Sequence, residues 1–222
     1  MSSRYTDKKL VDSLVQKHRH RHLVGGLWDE IAGLQLKTVV RHGLTPGHSL
    51  LDAGCGSLRA GHLLISHLNP RNYFGFDYND SLIEAGYRAE LDADQKNRCP
   101  RSQLKVADVT QTLPFERRFD FVLAFSVFTH LDRESVSNGI KVLADALSTD
   151  GKLLATFFIA PDRTVDKVTH KEGVVTFSDQ DPYHLSLDEI REIGLRAGLS
   201  SVKDTEFTHP RGQSLVVFKP NS

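Results

Sequence analysis

The chain has 222 residues, 39% of them hydrophobic and 25% charged, and its 28 basic residues balance 28 acidic ones. That is the composition of one soluble domain, without the roughly 18-residue apolar run of a membrane-spanning helix. Zero formal charge removes a bulk grip on nucleic acid or anionic lipid, and the polar N-terminus lacks the apolar core of a signal peptide.

Leu10, Val11, Leu14 and Val15 have helical spacing and predict a helix over 7–20, with Asp7 as its N-cap. The run HRHRH follows at 18–22. Only His18 and His22 share a helical face, no acid or cysteine stands at ligand spacing, and the run reads as a solvated basic face. A second helix is expected from Trp28 to Gly43. Trp28, Ile31, Leu34 or Leu36, and Val39 form its apolar side, and Gly43 suits its C-cap. Residues 1–44 therefore read as a helical lid ahead of a main domain over 45–222.

From His48 the pattern changes. HSLLDAGCG is a buried strand ending in a tight turn, with a helix from Ser57 to His67. NYFGFD is a second strand. NDSLIEAGYRAELDADQKN reads as one helix capped by Asn79 or Asp80. QLKVADV and RFDFVLAFS are further strands, ESVSNGIKVLADALS a helix, and GKLLATFF a fifth strand. Ser186 and Glu189 form a capping box that opens a helix ending at Gly198. SSVKDTEF and QSLVVFKP, joined by THPRG, read as a closing antiparallel hairpin. The fold class is α/β, a mostly parallel sheet with helices on both faces. Residues 159–185 carry no long periodic element. A loop of that length after a strand end is expected to be functional or mobile.

The chemistry concentrates at strand ends. In Leu51-Asp52-Ala53-Gly54-Cys55-Gly56 the glycines let the backbone turn and approach a ligand, although sharp turns also need glycine for structure alone. Asp77 follows Gly56 by twenty-one residues, a spacing at which an acid accepts ribose hydroxyls. Asp108 ends another strand, where a carboxylate can accept from an adenine amino group. Each acid alone could equally cap a turn; together at successive strand ends they point to an adenosine cofactor. A nicotinamide fingerprint would need glycine or alanine where Arg59 stands. Asp52 would repel a pyrophosphate and suits an ammonium group.

These features resemble the class I S-adenosylmethionine-dependent methyltransferases over roughly Trp28 to Pro220. LLDAGCGSLRAG is similar to the family's first motif, FGFD to its second, VADV to the adenine-contacting position, and FDFVLAFSVFTHL to the fourth-strand motif lining the methyl-transfer site. The closing hairpin resembles the family's last two strands of a seven-stranded sheet. LVGGLWDEI, DPYH and HPRGQ look like those of a small bacterial-type subgroup. One departure is Leu58, where the first motif commonly has a third glycine.

The resemblance implies S-adenosyl-L-methionine as cofactor, with contacts at Trp28, Asp52, Gly54, Cys55, Gly56, Arg59, Asp77, Tyr78, Asp108, Val109 and Phe125. Asp52 would orient the loop or the ammonium group, and Arg59 would reach the methionine carboxylate. The resemblance implies a methyl transfer by in-line displacement and gives no substrate; with no added recognition domain and no charge excess, the expected acceptor is a small molecule, methylated at oxygen or nitrogen, and the expected setting is a cytoplasmic enzyme, with a homodimer as an option. Candidate catalytic residues are His130, just past the fourth strand, Tyr183 and His184 in DPYH, and His209 in HPRG, each with packing as its alternative role. Arg211 shares the HPRG loop. Ser126-Val127-Phe128-Thr129 replaces the Asn/Asp-Pro-Pro-Tyr motif of amide and base N-methylation, and no cysteine follows strand four for C5 chemistry. Cys55 and Cys99 are too few for a metal quartet and give no reason to expect a disulfide, which fits a reducing compartment. The rival readings are a non-catalytic S-adenosylmethionine-binding partner protein and, disfavoured by Arg59 and the hairpin, a nicotinamide reductase.

Overall fold

The computed structural model describes residues 8–17, 19–23 and 26–221. Three helices come first: α1 (Lys8–Gln16), α2 (His20–Leu23) and α3 (Trp28–Arg41). Next are β1 (Leu50–Ala53), α4 (Gly61–His67), β2 (Tyr73–Asp77), α5 (Asp80–Ala89), α6 (Ala93–Arg98) and β3 (Leu104–Val106). β4 (Phe119–Ala124), α7 (Arg133–Asp145) and β5 (Leu147–Ala160) complete the parallel part. The remainder contains β6 (Lys167–Thr169), β7 (Val175–Phe177), β8 (His184–Ser186), α8 (Leu187–Arg196), β9 (Leu199–Lys203) and β10 (Ser214–Pro220). The expected cap at Asp7 and the face shared by His18 and His22 involve residues outside the described set.

The main sheet runs β3-β2-β1-β4-β5-β10-β9, with β8 paired to the far end of β5. β1 to β5 pair in parallel, and β10 is antiparallel to both β5 and β9. Every residue of β1 is buried, as expected for a strand covered on both faces. Alternation sends neighbours to opposite sides. Leu51, Val122 and Ala124 pack with Val136, Ile140 and Leu143 of α7 and with Ile190 and Ile193 of α8. Leu50, Phe121 and Leu123 pack with Ile31 and Val39 of α3, Leu64 of α4 and Ile83 of α5. Among the described residues no helix is long and apolar enough to cross a membrane.

The structure departs from the sequence reading in four places. The helix expected over 79–97 is two helices. Asp92 accepts the Gln95 N–H and the Gln95 side chain accepts the Asp92 N–H, a reciprocal cap that ends one helix and starts another. The helix expected from Ser57 starts at Gly61. Residues 159–185 are not structureless. β6 and β7 form an antiparallel hairpin, and β8 adds an eighth strand beside Phe158–Ala160. These strands are three residues long, too short to show a period. Finally, the HRHRH run is not all solvated: His20 is buried, with Nε2 2.7 Å from Glu90 Oε1, and Arg21 forks onto both oxygens of Glu90.

Gly86 carries the closest contact between α5 and the loop after β1. A Cβ there would lie 2.4 Å from the Ser57 carbonyl oxygen. Alanine favours a helix interior over glycine by about 1 kcal/mol, but here the obstacle is backbone, which cannot rotate away. Gly86→Ala is therefore expected to lower stability by roughly 1–3 kcal/mol, the usual cost of overpacking. Denaturant midpoints of the two proteins check this, and an equally stable variant would contradict it.

Candidate active site

Four strand ends enclose a cavity of about 310 Å³, within the range of small-ligand pockets. It is lined by Gly54 and Gly56 after β1, Asp77, Tyr78 and Asn79 after β2, Asp108 and Val109 after β3, and Phe125, Ser126, Val127 and His130 after β4. Arg59 lines it from the loop before α4, and Leu82 from α5.

The β1 turn is fixed by backbone geometry. Gly54 has φ +78°, and a Cβ there would lie 2.5 Å from Val127 Cγ2, so the β1 and β4 loops touch only because the side chain is absent. Leu58 holds φ +61° and is fully buried. A leucine thus occupies the left-handed conformation suited to the glycine that is missing here, held by its packing in the core.

Asp77 is tied to the main chain. Its Oδ2 accepts the Gly56 N–H at 2.9 Å and its Oδ1 accepts the Asn79 N–H at 2.9 Å. Burial pushes its carboxyl up, and bonds from Asn79, Gly56 and Tyr78 pull it down, with burial prevailing. Asp108 accepts the backbone N–H and hydroxyl of Thr110, each at 2.8 Å. Phe76, Leu82, Ala107 and Val109 line the same cavity as the two acids. A cavity lined by apolar side chains and two carboxylates fits an adenosine: the apolar groups suit the base, and the acids suit its amino and hydroxyl donors.

Several expected residues lie elsewhere. Asp52 is not among the cavity-lining residues; its Oδ2 accepts the buried Tyr73 hydroxyl at 2.8 Å. Cys55 is also outside that lining and packs against Gly75, and both cysteines are free. Trp28 stacks on His62 at 6.1 Å rather than lining the cavity. Of the sequence-derived cofactor positions, Gly54, Gly56, Arg59, Asp77, Tyr78, Asp108, Val109 and Phe125 do line it.

The four catalytic candidates separate by environment. His184 is buried, with Nδ1 2.8 Å from the Thr176 hydroxyl and Nε2 2.8 Å from the Val165 carbonyl, which makes it a tether of the insertion. The Tyr183 side chain does not line the cavity; its N–H donates to Thr129 O at 2.8 Å, and burial, then the nearby acids, push its phenol up. His209 is 3% exposed, and burial, Arg211 and Arg59 push its imidazole down to about 4, too weak a base for neutral pH. His130 alone of the four lines the cavity. Its Nδ1 lies 2.6 Å from Asp181 Oδ1. A carboxylate can only accept, so Nδ1 carries the proton and the neutral ring has its basic lone pair on Nε2.

Sequence reasoning missed Asp181. It stands in DPYH, whose tyrosine and histidine drew attention, and its pairing with His130 spans 51 positions. Asn79, Leu82, Ser126 and Val127 were missed as lining residues because nothing in their type marks them. Among the described residues, no group of three or more His, Cys, Asp or Glu could hold a metal ion.

Comparison with known proteins bears on the fold. Residues 51–153 match the model of a family described as a methyltransferase domain. The magnesium protoporphyrin IX methyltransferase of Synechocystis PCC 6803, solved with bound S-adenosylmethionine, aligns with a TM-score of 0.66 at 19% identity, covering 100% of both chains. The glycopeptide N-methyltransferase MtfA aligns with a TM-score of 0.62 at 17% identity, covering 86% of this chain and 90% of that one. A TehB-like S-adenosylmethionine-dependent methyltransferase from Corynebacterium glutamicum gives 0.61 at 19% identity, covering 95% and 98%. At these identities the likeness is one of fold.

Asp52 yields a test of the site's electrostatics. Its carboxyl is pushed up to about 7, first by burial and then by Asp77, against the pull of Tyr73 and Arg59. An unfolded aspartate titrates near 3.9, so the folded chain holds an extra proton between about pH 4 and 7. That stabilisation is complete below about pH 4 and is lost as pH rises through about 7. Asp52→Asn keeps an acceptor for Tyr73 without the charge. Its stability relative to the natural protein should rise by about 2–4 kcal/mol between about pH 4 and 8. Urea titrations across that range check this; a pH-independent difference would contradict it.

Proposed function

We propose that the chain, whose residues 51–153 match the model of a methyltransferase domain and whose fold is similar to that of a solved S-adenosylmethionine-dependent methyltransferase, methylates a hydroxyl group of a small-molecule acceptor. The observation that carries this reading is the His130–Asp181 pair at the edge of the cavity. A neutral amine attacks through its lone pair and sheds its proton afterwards, whereas a hydroxyl must lose its proton as it reacts, and a histidine oriented by a carboxylate is suited to take it. The methyl donor is S-adenosylmethionine. When bound, it supplies a methyl group on a sulfonium, and the carbon–sulfur electron pair returns to sulfur as the acceptor oxygen bonds to carbon.

The chain's residues divide the remaining work. Asp77 receives the ribose hydroxyls and Asp108 faces the adenine amino group, with Leu82 and Val109 on the base. Gly54 and Gly56 leave room for the methionine part, and Arg59 takes its carboxylate. His130 accepts the hydroxyl proton at Nε2, and Asp181 holds the ring and steadies the positive charge that results. The rate then depends on alignment in a cavity from which water is displaced.

Two segments serve as covers in this account. From the N-terminal side, Lys8 stands 4.8 Å over the Tyr78 ring, Val11 packs on Leu82, and Arg59 Nη1 donates to Gly26 O at 3.5 Å. From the insertion, Asp181 and the Tyr183 N–H hold the loop that bears His130. Support for closure by residues 1–44 is that Tyr78, Leu82 and Arg59 all line the cavity.

His130→Ala is expected to lower turnover roughly 10²–10⁴-fold while leaving affinity for S-adenosylhomocysteine nearly unchanged. Radiolabelled methyl transfer into a panel of hydroxylated metabolites, with binding followed by calorimetry, measures both. Near-full turnover in the variant would mean that alignment alone suffices. Asp77→Ala should instead weaken S-adenosylhomocysteine by roughly 1–3 kcal/mol, the scale of a hydrogen bond to a charged group; unchanged affinity would remove the ribose assignment.

A further inference from the structure

Glu90 follows the last residue of α5, and its side chain is only 6% exposed. An acid at the C-terminal end of a helix meets the negative end of the helix dipole, so this carboxylate has the wrong sign to stabilise α5. Its partners come from α2. Arg21 donates through Nε to Oε1 at 2.8 Å and through Nη2 to Oε2 at 2.7 Å, and His20 Nε2 lies 2.7 Å from Oε1. A carboxylate only accepts, so His20 Nε2 carries its proton. Burial pushes the Glu90 carboxyl up, but Arg21 and His20 outweigh it and hold the group below its usual range.

The segment held in this way lies against the cavity wall. α1 and α2 both pack on α5. Val11 of α1 is fully buried against Leu82, with Leu14 and Val15 beside them. Lys8 stands over the Tyr78 ring, and Arg59 donates to Gly26 O. Tyr78, Leu82 and Arg59 line the cavity, and Glu90 does not. Among the described residues the apolar seam consists of those four side chains. Hydrophobic contact of that extent holds a segment weakly. The bidentate, charge-assisted fork from Arg21 adds a directed contact at the far end of α5. On its other side α2 rests on Trp28, the first residue of α3: the Arg21 guanidinium lies 4.9 Å over the indole, and His20 meets it edge-on at 6.3 Å.

We infer that Glu90 is a positioning residue for the cofactor: from outside the cavity it fastens α1 and α2 against the wall formed by Tyr78, Leu82 and Arg59, and so governs how fast S-adenosylmethionine or S-adenosylhomocysteine leaves. This rests on the methyl-transfer reading and adds to it a residue that touches no ligand. A ligand beneath the segment leaves after the segment lifts. Lifting parts Arg21 and His20 from a carboxylate that the fold keeps out of water, and exposes Val11 and Leu82 together. Removing the charge lowers that barrier and leaves the ligand's own contacts as they were.

The full chain is loaded with tritiated S-adenosylhomocysteine and chased with unlabelled ligand. Glu90→Gln keeps the size and one acceptor oxygen and removes the charge; release should quicken by about tenfold or more, the scale of one lost charge-assisted hydrogen bond, with little change in association. Arg21 is exposed, so Arg21→Gln leaves the core intact and should quicken release to a similar degree. The double variant should be no faster than the faster single one, because both substitutions break the same contact. Trp28, the only tryptophan, reports the same event without ligand: its emission should differ between Glu90→Gln and the natural protein. A carboxylate that only shored up α5 would give additive effects and leave Trp28 unchanged. Release at the natural rate in both single variants, additive effects, or unchanged Trp28 emission would overturn the role of Glu90. Failure of S-adenosylhomocysteine to bind the natural protein would instead remove the methyl-transfer reading, and this inference with it.

Discussion

The site is organised by one carboxylate. Asp77 ends β2, and its two oxygens accept the N–H groups of Gly56 and Asn79, which fastens the loop after β1 to the start of α5. The Gly54 and Cys55 N–H groups add bonds to Phe76 O in the same seam. With the turn held there, Gly54 meets Val127 and Gly86 meets Ser57, so the β1, β4 and α5 segments close on one another. A buried acid is costly unless its oxygens are satisfied. Here the backbone satisfies them, and the same geometry leaves the carboxylate facing a cavity.

Environment rather than residue type then decides what each histidine can do. Four imidazoles stand out by position in the chain: His20, His130, His184 and His209. His20 is hydrogen-bonded to Glu90, and His184 spends both nitrogens on the insertion. His209 is desolvated beside two arginines and loses basicity. His130 alone combines a place on the cavity wall with a carboxylate on the nitrogen away from the proposed reaction.

What was legible in the sequence follows from the range of the interactions involved. The β1 turn, the capping box at Ser186 and the C-terminal hairpin are local, and they were readable from LLDAGCG, SLDE and the two strands around THPRG. The Asp92 cap was local too, but a continuous helical period across it concealed the break. The pairing of His130 with Asp181 and the fork of Arg21 on Glu90 join segments far apart in the chain, and no local pattern announces them. Trp28 and Asp52 were placed by resemblance at the ligand; the fold instead pairs one with His62 and the other with Tyr73. Leu58 shows the limit of reading glycine as a requirement, since core packing can hold a leucine at positive φ.

The most direct test of the whole account is a crystal structure of the protein with S-adenosylhomocysteine. The account predicts the ribose on Asp77, the adenine between Leu82 and Val109, and the sulfur at the end of the cavity bearing Ser126 and His130, with the His130–Asp181 bond intact. A ligand lying in the opposite sense, with its sulfur toward Tyr78 and its base toward His130, would contradict it.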